Sequence, residues 1–147
     1  MAISSVLIAN RGEIAVRVAR ACRDHGIKSI AIYSDEDRNA LHVAIADDAY
    51  ALHGLSAAET YLDQEKILDI AKKVGASAVH PGYGFLSENA AFAEVCRKCE
   101  ITFIGPTPEQ MRDLGEKVAA RAVARRAGLP FLPGSNGALP DQETARR

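Results

Sequence analysis

An α/β fold built on a parallel sheet is the fold class that this 147-residue sequence predicts. Short apolar runs alternate with longer segments of helical periodicity, which is typical of strands joined by crossover helices. Glycines stand where several helical segments stop, at Gly26, Gly75 and Gly128. Hydrophobic residues make up 48% of the chain, which is enough for a core of ordinary size.

Local signals justify the individual elements. The run VLIA at 6–9 is apolar throughout, as expected of a parallel strand that is buried on both faces. Asp63 precedes an apolar stripe and is expected to cap that helix. The segment TPEQ at 107–110 reads as a capping box with proline at the first helical position. The expected strands are 6–9, 29–33, 49–52, 76–80 and 101–104, and the expected helices are 14–25, 41–46, 64–74, 88–98, 108–114 and 116–127.

The domain organisation changes near Leu114-Gly115. A basic, alanine-rich helix follows this breakpoint, and residues 129–134 are expected to be extended because residues before proline avoid the α region. The last residues, 141–147, resemble the first turns of another helix. We therefore expect one complete domain over 1–114 and the incomplete beginning of a second over 115–147.

Charge and composition argue against several classes of protein. A net charge of -1 argues against a dedicated nucleic-acid binder, and no apolar run approaches the length of a membrane span. The first residues lack the regions of a signal peptide, so we expect a cytoplasmic protein. Cys22, Cys96 and Cys99 form no disulfide framework, and the C-x-x-C pair lies at a helix end. We interpret all three cysteines as ordinary thiols and expect no metal site.

The segment HPGYGFLSEN at 80–89 is the most informative junction. It joins a predicted strand to a predicted helix, and in open α/β sheets ligands bind at the carboxyl ends of strands. Tyr83 stands between two glycines, so a planar ligand can pack on its ring. His80 is interpreted as a structural residue at the strand end, and Glu88 as a helix-start carboxylate.

A second junction, ANRGEIA at 9–15, carries a weaker signal. Backbone amides at the helix start favour an anion, but only one glycine is present. The favoured alternative is a tight turn in which Asn10 and Glu13 satisfy helix-terminal amides. Asp35, after the second strand, can mimic the ribose-binding acid of a dinucleotide fold. Lys117 is either a solvated cation or a partner for a phosphate.

Arginines follow one flank of the first predicted helix. Arg17, Arg20 and Arg23 are spaced three residues apart, and Asp24 lies four residues after Arg20. Taken alone, this pattern favours a solvated face with an Arg20–Asp24 ion pair worth a few tenths of a kcal/mol. The alternative is a subunit interface, because arginine is enriched at such surfaces.

Five motifs follow one another along the chain: IANRGEIA at 8–15, HPGYGFLSEN at 80–89, FIGP at 103–106, GEKV at 115–118 and PGS at 133–135. Taken in order, these motifs resemble the amino-terminal part of biotin carboxylase, and the resemblance covers essentially the whole chain. It implies a Rossmann-like pre-ATP-grasp domain over 1–114 followed by the entry to an ATP-grasp domain.

The resemblance also implies an activity. The family uses ATP with Mg²⁺ (or Mn²⁺) and bicarbonate to carboxylate N1 of biotin through carboxyphosphate, the first half-reaction of the acyl-CoA carboxylases. The implied partners are a biotin carboxyl carrier, a carboxyltransferase and a second copy of the chain. Neither nucleic acid nor membrane is implied.

Residue roles carry over position by position. By resemblance, Lys117 contacts ATP phosphates, Tyr83 and Gly84 lie near biotin, and Arg17, Arg20 and Asp24 lie at a dimer interface. The metal-binding carboxylates and the residues that hold bicarbonate are expected beyond residue 147. We therefore expect no catalytic residue within the chain and no turnover by the chain alone.

Three other hypotheses compete with this one. Another ATP-grasp ligase, of carbamoyl-phosphate or purine-pathway type, shares the domain layout, but the 80–89 segment fits it poorly. A non-catalytic scaffold would use the first helix to dimerise. A nicotinamide dehydrogenase is a fold-level analogy that lacks the glycine fingerprint.

Overall fold

Five parallel strands form a single sheet in the computed structural model, which describes residues 2–115 and 117–130. The predicted α/β class with a parallel sheet is confirmed. The strands are β1 (Ser5–Ile8), β2 (Lys28–Tyr33), β3 (Asp48–Ala51), β4 (Ala78–His80) and β5 (Thr102–Phe103). The helices are α1 (Gly12–Asp24), α2 (Leu41–Ile45), α3 (Gln64–Lys73), α4 (Ala90–Lys98), α5 (Pro108–Gly115) and α6 (Lys117–Arg126), with a 3₁₀ turn at Asp35–Asp37.

The strand order, β3-β2-β1-β4-β5, places β1 at the centre of the sheet. Strands β2 and β3 follow β1 in the chain and lie on one side of it. Strands β4 and β5 come later in the chain and lie on the other side. Ser5 is paired with Lys28, and Val6 with Ala78. The strand order therefore changes direction between β1 and β4. At such a switch point a crevice forms at the carboxyl ends of the two strands.

Both faces of β1 are buried, as its apolar run predicts. Leu7 packs into one core with residues of α3 and α4, including Ile67 and Phe92. Val6 and Ile8 pack into a second core on the opposite face, against α1. The sheet is thus covered by helices on both sides, which leaves its carboxyl edge as the surface where β1 and β4 deliver their loops.

Side-chain caps begin two of the helices. The Asp63 carboxylate accepts the backbone N–H of Lys66 at 3.1 Å, which confirms the predicted cap of α3. At α4 the cap is Asn89, whose side chain accepts the backbone N–H of Phe92 at 2.9 Å. The helix predicted from residue 88 therefore starts at Ala90, because a capping residue has non-helical backbone angles.

The chain divides into two compact units after Pro108. Helix α5 starts at this division, at Pro108 as predicted, and Gly128, with a φ of +68°, follows α6. The boundary predicted at 114/115 falls at the last residue of α5 and stays a prediction. The extended segment, the PGS motif and the helical turns predicted beyond residue 130 lie outside the described residues.

Within the described ranges, no helix is both long and apolar enough to cross a membrane.

Candidate functional site

The two junctions singled out in the sequence meet at the carboxyl edge of the sheet. The buried side chain of Asn10, just after β1, spans to the loop after β4. Its Nδ2 donates to the carbonyl oxygens of Pro81 at 2.6 Å and Tyr83 at 2.8 Å. Its Oδ1 accepts the backbone N–H of Arg11 at 2.9 Å. Asn10 therefore ties the two junctions together, whereas the sequence favoured a role on helix-terminal amides.

Gly82 is the point of closest approach between the two junctions. Its φ is +64°, and a Cβ built on it would lie 2.8 Å from Asn10 Nδ2. Its backbone N–H donates to His80 Nδ1 at 3.0 Å. Burial lowers the pKa of His80, which favours the neutral ring that accepts this bond. The arrangement supports the structural role predicted for His80.

Tyr83 presents its ring to solvent, with 61% of the residue exposed. Its hydroxyl donates to the Glu13 carboxylate in the first turn of α1, and this bond raises the pKa of Tyr83. Glu13 therefore holds the Tyr83 side chain, rather than the helix-start amides that the sequence favoured. Gly84, with a φ of +65°, has nothing within 4 Å of a built Cβ, so the loop is open beside the ring.

A second polar network joins β1 to β2 and was not predicted. The Arg11 guanidinium contacts both carboxylate oxygens of Asp37, with each nitrogen–oxygen distance 2.5 Å. The same carboxylate accepts the Tyr61 hydroxyl at 2.6 Å and the Ser34 hydroxyl at 3.2 Å. Tyr61 in turn accepts the backbone N–H of Ser34 at 2.9 Å. Asp37 is buried, and these donors compensate the charge of its carboxylate, as a buried carboxylate requires.

The pKa shifts follow from this network. The Arg11 guanidinium beside Asp37 lowers the pKa of that carboxyl to about 2, with the Tyr61 hydroxyl adding to the effect. The same contact raises the pKa of Arg11 above its already high value. Burial, with the Asp37 hydrogen bond, raises the pKa of Tyr61 to about 12. The network therefore holds an ion pair and a neutral phenol throughout the physiological range.

Sequence signals for this network were present but incomplete. Arg11 and Asp37 both follow strands, and adjacent parallel strands deliver their following residues to the same edge, so their proximity could have been inferred from the strand order. Tyr61 lies 24 residues after Asp37, in a segment without periodicity, and no local sequence pattern predicts its contact with Asp37.

Two of the three acids after β2, Asp35 and Asp37, are engaged with protein groups. Asp37 is held by Arg11, and Asp35 accepts the backbone N–H of Gly54 at 3.0 Å. Asp35 also lies 3.9 Å from the guanidinium of Arg38. The suggestion that Asp35 mimics a ribose-binding acid is therefore not supported, and the dehydrogenase analogy loses the acid on which it depended.

Aromatic packing links this network to the loop that carries Tyr83. The rings of Tyr61 and Phe85 stack with centroids 5.3 Å apart and planes inclined by 22°. Phe85 adopts a φ of +40°, which is uncommon for a bulky residue. The loop is thus held at one end by Asn10 and at the other by the Tyr61 ring.

The flank of α1 predicted to be basic is exposed. Arg17, Arg20 and Asp24 line a shallow depression on the helix surface. Among the described residues Arg20 and Asp24 form no ion pair, so the predicted Arg20–Asp24 pair is absent. The Arg23 guanidinium donates to the Ile45 carbonyl at 3.2 Å. The side chains of Arg17 and Arg20 are turned to the surface without a partner in the part of the chain that the structure describes.

Three other predictions concern Lys117, the cysteines and metal binding. Lys117 is the first residue of α6, and its contact with ATP stays a prediction. Cys96 is buried, and burial raises the pKa of its thiol to about 11, consistent with an inert thiol. Within residues 2–115 and 117–130, no group of three or more His, Cys, Asp or Glu is placed to hold a metal ion.

Comparison with known proteins identifies the family. A family model described as biotin carboxylase, N-terminal domain, matches residues 2–111. The chain belongs to this family. The resemblance predicted from the ordered motifs is confirmed, and the five-stranded unit is a biotin carboxylase N-terminal domain.

Two named relatives match the chain over most of its length. Biotin carboxylase 1 of Bacillus subtilis is 47% identical over 143 residues, which cover 97% of this chain and 32% of the relative. The alpha3 subunit of a biotin-dependent acyl-coenzyme A carboxylase from Mycobacterium leprae is 56% identical over 133 residues, covering 90% of this chain and 22% of that subunit. The chain thus spans about a third or less of the length of these relatives.

Solved biotin carboxylase structures share the fold. The Campylobacter jejuni enzyme superposes with a TM-score of 0.95 at 45% identity, covering 99% of this chain and 32% of that one. The biotin carboxylase domain dimer of Hydrogenobacter thermophilus 2-oxoglutarate carboxylase, solved with MgADP, ADP and bicarbonate, has a TM-score of 0.93 at 49% identity. That match also covers 99% of this chain and 32% of the solved one.

Proposed function

We propose that this chain supplies the amino-terminal part of a cytoplasmic biotin carboxylase. The enzyme would use MgATP and bicarbonate to carboxylate biotin on a carrier protein, with carboxyphosphate as the activated intermediate. The observation that supports this best is the exposed Tyr83 ring on a loop fixed by Asn10, at the strand edge where α/β folds bind ligands. Membership of the family supports biotin as the planar ligand for that ring.

Tyr83 and Gly84 would form a wall of the biotin site. The ring is open on the side away from Glu13, and Gly84 leaves space beside it. A flat bicyclic ligand such as biotin gains from contact with an aromatic face, and the loop loses little conformational entropy on binding because it is already held at both ends. In this proposal the loop binds and orients biotin, and the bond-forming groups lie elsewhere.

Lys117 would supply a positive charge to the ATP phosphates. A lysine ammonium is a compact point charge suited to this role, and it offsets the charge that develops on a transferring phosphoryl group. By the family resemblance, the metal ligands of the complete enzyme would lie outside the described residues. The domain boundary at 114/115 is kept as part of the proposal, with Lys117 at the entry of the ATP-grasp domain.

A chimeric enzyme tests the proposal. Residues 2–130 of this chain would replace the matching third of the Bacillus subtilis biotin carboxylase, with which the chain shares 47% identity. We expect the chimera to cleave ATP in a manner that depends on both bicarbonate and free biotin, and the 147-residue chain alone to show no such turnover. A folded chimera that dimerises without this activity would favour the scaffold hypothesis.

Tyr83→Ala should change the biotin requirement more than the ATP requirement. Removing the ring from the chimera is expected to raise the KM for biotin by about tenfold and to change the KM for ATP by less than about twofold. Leu55→Ala, which truncates another exposed apolar side chain, is the matched control. Equal changes in both KM values would count against the placement of biotin at Tyr83.

The exposed flank of α1 is proposed as the contact surface for a second copy. Arg17, Arg20 and Asp24 are available there for pairing across an interface. Reversing one charge with Arg20→Glu should weaken dimerisation of the chimera by about tenfold or more, because like charges across an interface are costly. Sedimentation velocity over a dilution series would measure this, with Lys72→Glu on the exposed side of α3 as the control. Identical dissociation constants for both variants would remove α1 from the interface.

A further inference from the structure

We infer that Asn10 and Glu13 are positioning residues for Tyr83, holding its backbone and its ring in the arrangement that receives the planar ligand. This inference rests on the proposed function for its ligand. Neither residue contacts that ligand in this proposal, and both act through the loop after β4.

Asn10 fixes the backbone on both sides of Gly82. One amide nitrogen donates to the Pro81 and Tyr83 carbonyls, so two carbonyl oxygens point at the same atom. Without a donor between them, two carbonyls so placed would repel each other and lack hydrogen-bond partners, which is unfavourable for buried groups. Asn10 is itself 3% exposed, so water has little access to replace it.

Gly82 leaves Asn10 the room to reach the loop. A side chain at this position would occupy the space that Asn10 Nδ2 uses, because a built Cβ lies 2.8 Å from that atom and 3.1 Å from Ile14 Cγ1. The loop conformation and the Asn10 contact are therefore mutually dependent. A change in either is expected to displace Tyr83.

Glu13 sets the direction of the Tyr83 ring. The ring is otherwise exposed on a loop flanked by glycines, so it would sample several rotamers without a tether. The carboxylate of Glu13 accepts its hydroxyl from the first turn of α1, three residues after Asn10. A single junction after β1 thus controls both the backbone and the side chain of Tyr83.

Two variants with matched controls test the inference. Asn10→Asp keeps the size of the side chain but removes the donors, and Asn39→Asp makes the same change at an exposed turn. Glu13→Ala removes the acceptor for Tyr83, whereas Glu13→Gln retains an oxygen that can accept the same bond. Because Glu13 is exposed, its variants remain informative if Asn10→Asp fails to fold.

The first readout is amide hydrogen exchange at Gly82 and Ser87, whose N–H groups bond to His80 Nδ1 and the Gly84 carbonyl. In the chimera, Asn10→Asp should speed exchange at both by about tenfold or more, while Asn39→Asp leaves them unchanged. The second readout is the KM for free biotin, which Asn10→Asp and Glu13→Ala should raise by about threefold or more relative to the KM for ATP. Glu13→Gln should restore the wild-type ratio.

The outcomes separate this inference from the proposed function. Unchanged exchange in Asn10→Asp, or a Glu13→Gln variant as impaired as Glu13→Ala, would overturn the positioning role. Faster exchange with an unchanged biotin KM would also overturn it if Tyr83→Ala still raises that KM. If Tyr83→Ala leaves the biotin KM unchanged as well, the failure belongs to the proposed biotin site.

Discussion

Replacing Asp37 with asparagine is expected to lower the free energy of unfolding by about 2–3 kcal/mol. Removing one partner of a fully buried ion pair costs about 3–5 kcal/mol, and the half-exposed guanidinium of Arg11 reduces the expected loss. The variant also weakens the bonds from Tyr61 and Ser34 to the carboxylate. Urea unfolding at neutral pH would measure the loss. Asp69→Asn, at an exposed position of α3, should stay within about 0.5 kcal/mol of wild type.

The same variant should show a distinct pH dependence. The folded-state pKa of Asp37, about 2, lies below the value of about 3.9 expected for the unfolded chain. Its contribution to stability is therefore complete above about pH 4 and is lost as the pH falls toward 2. The difference in stability between wild type and Asp37→Asn should shrink across that window. A difference that stays constant down to pH 2 would show that the carboxylate charge is not what stabilises the network.

Gly82→Ala is expected to lower the free energy of unfolding by about 2–5 kcal/mol. Two effects combine in this variant: a left-handed backbone that costs an L-residue about 1–2 kcal/mol, and a methyl group placed 2.8 Å from Asn10 Nδ2. Asn10 cannot swing away freely because its amide is held by two carbonyls, so relief of the contact breaks those bonds. Overpacking of this kind costs about 1–3 kcal/mol.

A matched glycine isolates the second effect. Gly75, after α3, has the same φ of +64°, but nothing lies within 4 Å of a built Cβ. Gly75→Ala should therefore cost only the backbone part, about 1–2 kcal/mol. Thermal or urea unfolding of the two variants gives the difference directly. Equal losses would mean that the Asn10 contact is soft and that the loop tolerates displacement.

The framework of the fold was largely predictable because its signals are local. Every predicted strand is present within a few residues, since an apolar run between glycines or polar turns leaves few alternatives to a buried parallel strand. Asp63 was identified as a cap because a cap depends on only four neighbouring residues. The start of α4 was misplaced by two residues, because Glu88 and Asn89 both suit a helix start and only the backbone decides between them.

The candidate site was only partly predictable. The loop at 80–89 was recognised by its glycines, but the partners that hold it come from residues about 70 positions earlier. Asn10 and Glu13 were assigned to their own helix because a local partner is the simplest expectation for a short polar side chain. The strand order alone brings the two junctions together, and sequence periodicity does not reveal strand order.

The central position of β1 gives its two neighbouring strands different loop-closure costs. β1, β2 and β3 can associate once residue 51 has been made, whereas β4 must close a much longer loop to reach β1, as shown by Ser5 and Ser77, which bond across 72 positions. Closing this longer loop costs about 1 kcal/mol more in entropy than joining β1 to β2. Asn10 contacts the Tyr83 loop only when that longer closure is made, so the contact between the two junctions carries the larger entropic cost of the two β1 pairings.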